Sequence, residues 1–355
     1  MRNLTSLLEG PQTMGRGPIF WSAFAAVVLA AAALPAFASA FTVTNVAFFL
    51  VWVFMALGLS LLWGYTGILS FGQTAFFGLA GYAYGVASIN FGDSAILGWV
   101  SVVIALALPA LFAALLGYLM FYGGVRDVFV GIVTLSVTLV FETFMAQTAG
   151  PEWTIGSARL NGFNGMSGMP PLMLRFGEHE ILFDGPPFFW LALALLVLVY
   201  LGLRMLANSS FGNVLVAIRE NPDRAEMLGY NVRLYQLIVF VIGSVLAAMS
   251  GVLYTLWGSY ITPSSMGLTA AALPIIWVAA GGRKDLTATV ISTVALLWVS
   301  QTLAIYGSQY ALVLMGFILL FVVMFAPEGF VVTSVKAIGT KLQRRKAMTV
   351  SRKPS

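Results

Sequence analysis

Ten apolar runs follow one another along the chain, separated by short polar breaks: residues 19–40, 45–63, 74–91, 96–122, 128–147, 187–206, 234–257, 268–281, 286–306 and 311–327. A helix needs ~20 mostly apolar residues to cross the ~30 Å hydrocarbon core, and there each backbone N–H and C=O must find its partner within the protein. The expected fold class is therefore all-α, a polytopic integral membrane protein with about ten transmembrane helices. Hydrophobic residues make up 60% of the 355 and charged ones 9%, which leaves no room for a soluble domain of ordinary size. The chain has no Cys, so disulfides and thiolate chemistry are excluded.

The charges give this bundle a direction. With the N-terminus inside, 16 of the 18 Lys and Arg face the cytoplasm: Arg2, Arg16, Arg126, Arg204, Arg219, Arg224, Arg233, Arg283, Lys284 and the seven from Lys336 to Lys353. Only Arg159 and Arg175 fall outside, in a loop that also carries Glu152, Glu178, Glu180 and Asp184. This positive-inside bias places both termini in the cytoplasm. The organisation expected is a cytoplasmic segment 1–18, a transmembrane domain 19–332 with an outer loop 148–186 and a cytoplasmic loop 207–233, and a basic tail 333–355. The tail has no interleaved aromatics, so it is an anchor near anionic lipid and not a nucleic-acid site. Ala36-Phe-Ala-Ser-Ala40 resembles a signal-peptidase site. Cleavage there would put the two ends on opposite sides, against the charge bias, so residues 19–40 are kept as a span.

Loop 207–233 contains Ala217-Ile-Arg-Glu-Asn-Pro-Asp-Arg-Ala-Glu-Met-Leu-Gly-Tyr230. Asn221 can cap a helix, Pro222 suits its first turn, Asp223 favours its positive end and Gly229 can take the left-handed conformation that stops it. A helix of about two turns is expected, with Glu220, Asp223, Arg224 and Glu226 as rim charges and Ala225, Met227 and Leu228 as apolar contacts for a partner. A solvated, well-capped loop helix without a partner is the alternative.

Two more features bear on a path through the membrane. Trp63-Gly-Tyr-Thr-Gly-Ile-Leu-Ser-Phe-Gly-Gln-Thr74 interrupts two apolar runs with three glycines. Unpaired backbone groups cost several kcal/mol each in hydrocarbon, so the break either lies against protein or a water-filled cavity, or is a turn facing the cytoplasm. Ser70, Gln73 and Thr74 are candidates to line a path in either case. Gly78, Gly81 and Gly85 beyond it have the spacing of a packing face. Glu142 is the clear intramembrane ionisable residue, with Thr138 and Thr143 as potential partners, and either lines the path or serves a structural role. Tyr260-Ile-Thr-Pro-Ser-Ser-Met-Gly267 makes a polar, Pro-containing entry to a short eighth segment that is a candidate re-entrant helix.

Several classes are excluded. The pattern Gly-x4-Gly-Lys-[Ser/Thr] is absent, and Gly281-Gly-Arg-Lys284 reads as the inner end of a span. No nucleophile elbow or paired intramembrane carboxylates point to an enzyme, no cofactor is implied, and the lone His179 is a solvated loop residue, not a metal ligand.

Three blocks resemble the membrane-spanning subunits of the branched-chain amino-acid ABC importers, specifically the longer of their two paired permeases. They are Gly64-Tyr-Thr-Gly-Ile-Leu-Ser-Phe-Gly-Gln-Thr-Ala-Phe-Phe-Gly78, Ser210-Phe-Gly-Asn-Val-Leu-Val-Ala-Ile-Arg-Glu-Asn-Pro-Asp-Arg-Ala-Glu-Met-Leu-Gly-Tyr-Asn231 and Phe325-Ala-Pro-Glu-Gly-Phe330. With their spacing, the likeness covers roughly residues 45 to 332. It implies a multi-pass protein of a bacterial-type plasma (inner) membrane whose capped helix couples to an ATPase through Glu220, Asn221, Pro222, Asp223, Arg224, Glu226, Met227, Leu228 and Gly229. The implied partners are a second permease, as a heterodimer, two cytoplasmic ABC ATPase subunits and an extracytoplasmic solute-binding protein. Leu160-Asn-Gly-Phe-Asn-Gly-Met-Ser-Gly168 departs from the family's usual outer loop. Permeases for urea and short amides are close relatives, so a urea or amide importer stays open beside branched-chain amino acids. A stand-alone secondary transporter or channel is the alternative from another class, and it would not require the coupling loop.

Overall fold

A computed structural model describes residues 7–92, 94–176, 179–305, 307–326 and 328–334. Arg2 and the basic residues from Lys336 onward lie outside the described residues. Helices occupy all ten predicted runs. They are α1 (Gly17–Phe37), α2 (Ala40–Leu59), α3 (Gln73–Phe91), α4 (Ala95–Tyr122), α5 (Val128–Gln147) and α6 (Pro186–Asn208), then α9 (Val232–Gly258), α10 (Leu268–Gly281), α11 (Leu286–Ala304) and α12 (Ser308–Phe325). Between α6 and α9 lie two short helices, α7 (Ser210–Glu220) and α8 (Pro222–Met227). The fold is all-α and polytopic, and among the described residues seven helices are long and apolar enough to cross a membrane. α10, at 14 residues, is short, as its sequence predicts.

α9 packs against α2, α3 and α4, and together these make the centre of the bundle. Lipid gives apolar side chains no reason to prefer each other over acyl chains, so close helix approach depends on small residues. At the α9–α3 crossing a side chain on Gly251 would overlap the Phe77 carbonyl, and at the α9–α2 crossing Gly58 and Gly243 leave backbone against backbone. Trp52 stacks on Phe77 with ring centroids 4.9 Å apart, and Tyr254 closes on both, which locks these crossings. The Gly78, Gly81 and Gly85 face packs as expected, against Met266, Ile261 and Met166 respectively.

Loop 148–186 is more ordered than its sequence suggests. β1 (Thr154–Ile155) pairs with β2 (Ala158–Arg159), β4 (Met173–Phe176) pairs with β5 (His179–Leu182), and β3 (Met166–Ser167) pairs with β6 (Tyr260–Ile261), all antiparallel. The last pairing ties the loop to the entry of α10, which runs as β6 and a 3₁₀ turn, Pro263–Met266, before the helix begins. Strands this short carry no alternating pattern to read, and they form because the anchored loop brings their backbones together.

At the opposite end, residues 8–16 form a strap across the helix ends. Arg204 of α6, which the sequence offers only as an inside-facing charge, is fully buried and clamps it. Its Nε and Nη2 donate to the Leu8 carbonyl at 3.0 and 2.8 Å, Nη1 to Met14 O at 2.9 Å, and Nη2 to Gly15 O at 2.8 Å. Nη1 also donates to the Tyr200 hydroxyl at 2.9 Å, and the guanidinium lies over the rings of Phe20, Trp21 and Tyr200. Asp285, which caps α11 through the Ala288 N–H, also accepts from Met14 N.

Candidate functional site

The capping signals in loop 207–233 are all used. Asn221 has φ −162° and ψ 102°, and its side-chain oxygen accepts from the Arg224 N–H at 2.8 Å. Pro222 and Asp223 occupy the first turn of α8, and Gly229 has φ +90°, with its N–H donating to Glu226 O and that of Tyr230 to Ala225 O. That left-handed residue is where a side chain would strain the backbone. The preceding α7 is an addition to the expected loop: the Ser209 hydroxyl accepts from Gly212 N, and Val214, Leu215 and Ile218 turn one face inward.

One expectation for α8 needs correction. Ala225 does not belong to a partner surface: it is buried against Val214, Ile218 and Val232 beneath the helix. The exposed apolar pair is Met227 and Leu228, at 86% and 71%, bordered by exposed Arg224 and Glu226. Asp223 is not a free rim charge either, since it pairs with Arg126 of the α4–α5 turn at 3.2 Å. Both side chains of that pair are more than half exposed, so it orients α8 more than it stabilises the fold. Arg219 holds Glu220 through Nε and Nη2 at 3.1 and 2.8 Å. These bonds and the guanidinium charge hold the Glu220 carboxyl below the usual carboxylate range.

The glycine-rich break lies beside this loop. α2 continues as a π-helical turn, Ser60–Thr66, which ends at Gly67 with φ +79°. The freed backbone of the following residues is taken up by α5 and by Ser70 within the break itself. Thr134 Oγ1 accepts from Phe71 N at 3.1 Å, Thr138 Oγ1 donates to Phe71 O at 3.2 Å, and Ser70 Oγ accepts from Gly72 N at 3.1 Å. The break thus lies against protein, at the end of the bundle that carries α7 and α8, which fits either reading of its sequence. A cleft of about 230 Å3 separates it from α8, lined among others by Gly67, Ile68, Arg126, Arg219, Asp223 and Glu226.

Ser70, Gln73 and Thr74 come together at the start of α3, all buried. Among the described residues, neither amide atom of Gln73 nor Thr74 Oγ1 has a hydrogen-bond partner, and the same holds for the indole N–H groups of Trp52 and Trp277 and the Tyr82 hydroxyl. Buried polar atoms are rarely left so, because each costs about 1–3 kcal/mol unpaired. Glu142 is set apart. Thr138 bonds Phe71 and the Thr134 carbonyl and not Glu142, Thr143 is exposed, and the Glu142 carboxylate lies against Gly267 at the first turn of α10. That places its charge at the positive end of a helix. Sequence reasoning missed the bonds that Arg219 makes and the unpartnered indole N–H groups of Trp52 and Trp277. Arg219 stood inside the coupling block but was legible only as a topology charge.

The family model described as "Branched-chain amino acid transport system / permease component" matches residues 41–323. Curated relatives include a probable branched-chain amino acid transport permease protein LivM of Methanocaldococcus jannaschii, 24% identical over 84% of this chain and 95% of its own length. Another is the high-affinity branched-chain amino acid transport system permease protein LivM of Escherichia coli K12, also 24% identical, over 86% of this chain and 73% of its own. No solved structure matches the chain significantly. The chain belongs to the permease-component family of branched-chain amino acid transport systems.

Proposed function

We propose that this chain is one membrane subunit of an ATP-driven importer for branched-chain amino acids, and that α8 docks on a separate ATPase. The observation that carries the docking is the exposed pair Met227 and Leu228 on a short, doubly capped helix fixed to the bundle through Ala225. Two apolar side chains held out on a rigid support fit a partner's cleft. The α7–α8 end faces the cytoplasm, a reading that the placing of basic residues in the sequence supports, and the strand-bearing end meets a solute-binding protein. A second, similar permease completes the path, and two ATPase subunits drive it. The subunit itself carries out no chemistry. Solute passes near Ser70, Gln73 and Thr74, where the unused amide of Gln73 and hydroxyl of Thr74 meet the polar groups of an amino acid, and Glu142 borders the path nearer its outer end.

Uptake into proteoliposomes containing the assembled transporter tests the assignment. Radiolabelled leucine is expected to enter only with ATP inside reach of the ATPases, with excess isoleucine and valine competing and urea not. Competition by urea or short amides with no leucine entry would move the assignment to an amide importer. Uptake driven by an ion gradient without ATP would move it to a secondary transporter.

A further inference from the structure

The π-helical turn Ser60–Thr66 is held from three sides. Ser60 Oγ donates to the Arg283 carbonyl of the α10–α11 turn at 3.1 Å and accepts from Thr289 Oγ1 of α11 at 3.1 Å, while the Arg283 guanidinium sits 5.1 Å from the Trp63 ring. The Tyr65 hydroxyl donates to the Gln12 carbonyl of the strap at 2.9 Å. The third hold comes from the coupling loop: Arg219, in the last turn of α7, donates from Nη1 to the Gly64 carbonyl at 2.5 Å. The first two tie the turn to the bundle. The third ties it to α7, which leads directly into α8.

The Gly64 carbonyl is available because the chain leaves the helix three residues later. Bonds in a π-turn run from residue i to i+5, and Gly67, in the left-handed region, ends the turn before a partner for Gly64 is reached. A cation at the C-terminal end of a helix is favoured besides. A side chain at Gly67 would press on the Arg219 Cγ methylene at 3.3 Å, so the guanidinium reaches its acceptor past a glycine, while a side chain at Gly64 would overlap the Arg283 carbonyl on the bundle side. Arg219 also holds Glu220, the residue before the cap of α8. One side chain therefore joins the end of α7, one residue before the cap of α8, to the turn that leads into Ser70, Gln73 and Thr74.

We infer that Arg219 is the positioning residue that transmits displacement of α7 and α8 to the π-turn, and through Gly67–Gly72 to the start of α3. The inference rests on α8 being the ATPase-coupling helix. A shift of α8 draws on Arg219, moves the Gly64 carbonyl, and swings the Gly67–Gly72 segment about its left-handed glycine while Arg283 and Gln12 keep the other side of the turn fixed. The cleft of about 230 Å3 between α8 and the break supplies the space for that motion.

The test measures ATP hydrolysis and leucine uptake on the same proteoliposomes of complete transporter, for wild type, Arg219→Ala and Arg219→Lys. Wild type is expected to couple the two. Arg219→Ala is expected to assemble, to hydrolyse ATP within about twofold of wild type, and to lower the solute moved per ATP roughly tenfold, a coupling loss of ordinary size. Arg219→Lys is expected to fall between them, since an ammonium reaches the Gly64 carbonyl but does not also fork onto Glu220; if the alanine variant does not assemble, the lysine variant carries the comparison. An unchanged ratio in the variants with coupled wild type overturns the role of Arg219 alone. Uptake independent of ATP in wild type overturns the coupling-helix reading itself, and this inference with it.

Discussion

Gly251→Ala is expected to prevent normal assembly of the bundle, lowering the yield of folded protein and the melting temperature of what remains. The added methyl would overlap the carbonyl of Phe77, a backbone atom that cannot rotate away. Phe77 itself cannot retreat, because Trp52 stacks on its ring at 4.9 Å and Tyr254 lies 5.3 Å from it. α9 and α3 must therefore separate along their contact. Overpacking commonly costs about 1–3 kcal/mol, and parting two backbones at the bundle centre belongs at the upper end of that range. Gly202→Ala is the matched control, because nothing lies within 4 Å of the added methyl there. It is expected to leave stability unchanged or raise it by up to about 1 kcal/mol through helix propensity. Thermal melting of both variants in the same detergent reads the difference; equal melting points would show that the α3–α9 approach does not hold the fold together.

The second large effect is expected at Arg204. Arg204→Leu removes every donor that the Leu8, Met14 and Gly15 carbonyls share, along with the cation that Phe20, Trp21 and Tyr200 surround. The three carbonyls are half-buried, and losing their charged donor leaves them short of partners at up to about 1–3 kcal/mol each, so the strap is expected to detach and seek water. The loss should be about 3 kcal/mol, with new protease cleavage among residues 8–16. Arg204→Lys should rescue little, because donors on a single nitrogen cannot serve carbonyls on both sides of a planar fork. Unchanged melting together with an intact N-terminus under protease would contradict the clamp.

The difference between Arg204 and Asn221 shows what was legible in the sequence. The cap at Asn221, the proline after it and the stop at Gly229 act within a few residues of each other, so their geometry follows from residue type and order alone. The apolar runs are legible for the same reason, because membrane depth imposes a length that no tertiary contact needs to supply. Arg204 reads as one more inside-facing charge until the chain folds and brings Leu8, 196 residues away, to its guanidinium. The Gly64 carbonyl that Arg219 grips lies 155 residues before it, and the pairing of Met166 with Ile261 joins two segments that look like loop. The break at Gly64–Gly72 was legible as a break, but its satisfaction by Thr134 and Thr138 was not. Ser70, Gln73 and Thr74 fall together because they share one helix start, whereas Glu142 was legible as an intramembrane ionisable residue and its placing against Gly267 was not.

The docking of α8 on an ATPase is the central claim, and purification in mild detergent tests it most directly. The chain is purified from its native membrane alongside a variant carrying Arg224→Glu and Glu226→Arg, both at exposed positions beside Met227 and Leu228. Mass spectrometry and an ATPase assay are applied to whatever remains bound. The account predicts ATP-hydrolysing subunits with the wild-type chain and their loss from the variant, with the variant's own melting temperature unchanged. Wild-type chain that transports solute with no ATPase bound, or a variant that retains its ATPase undiminished, would contradict it.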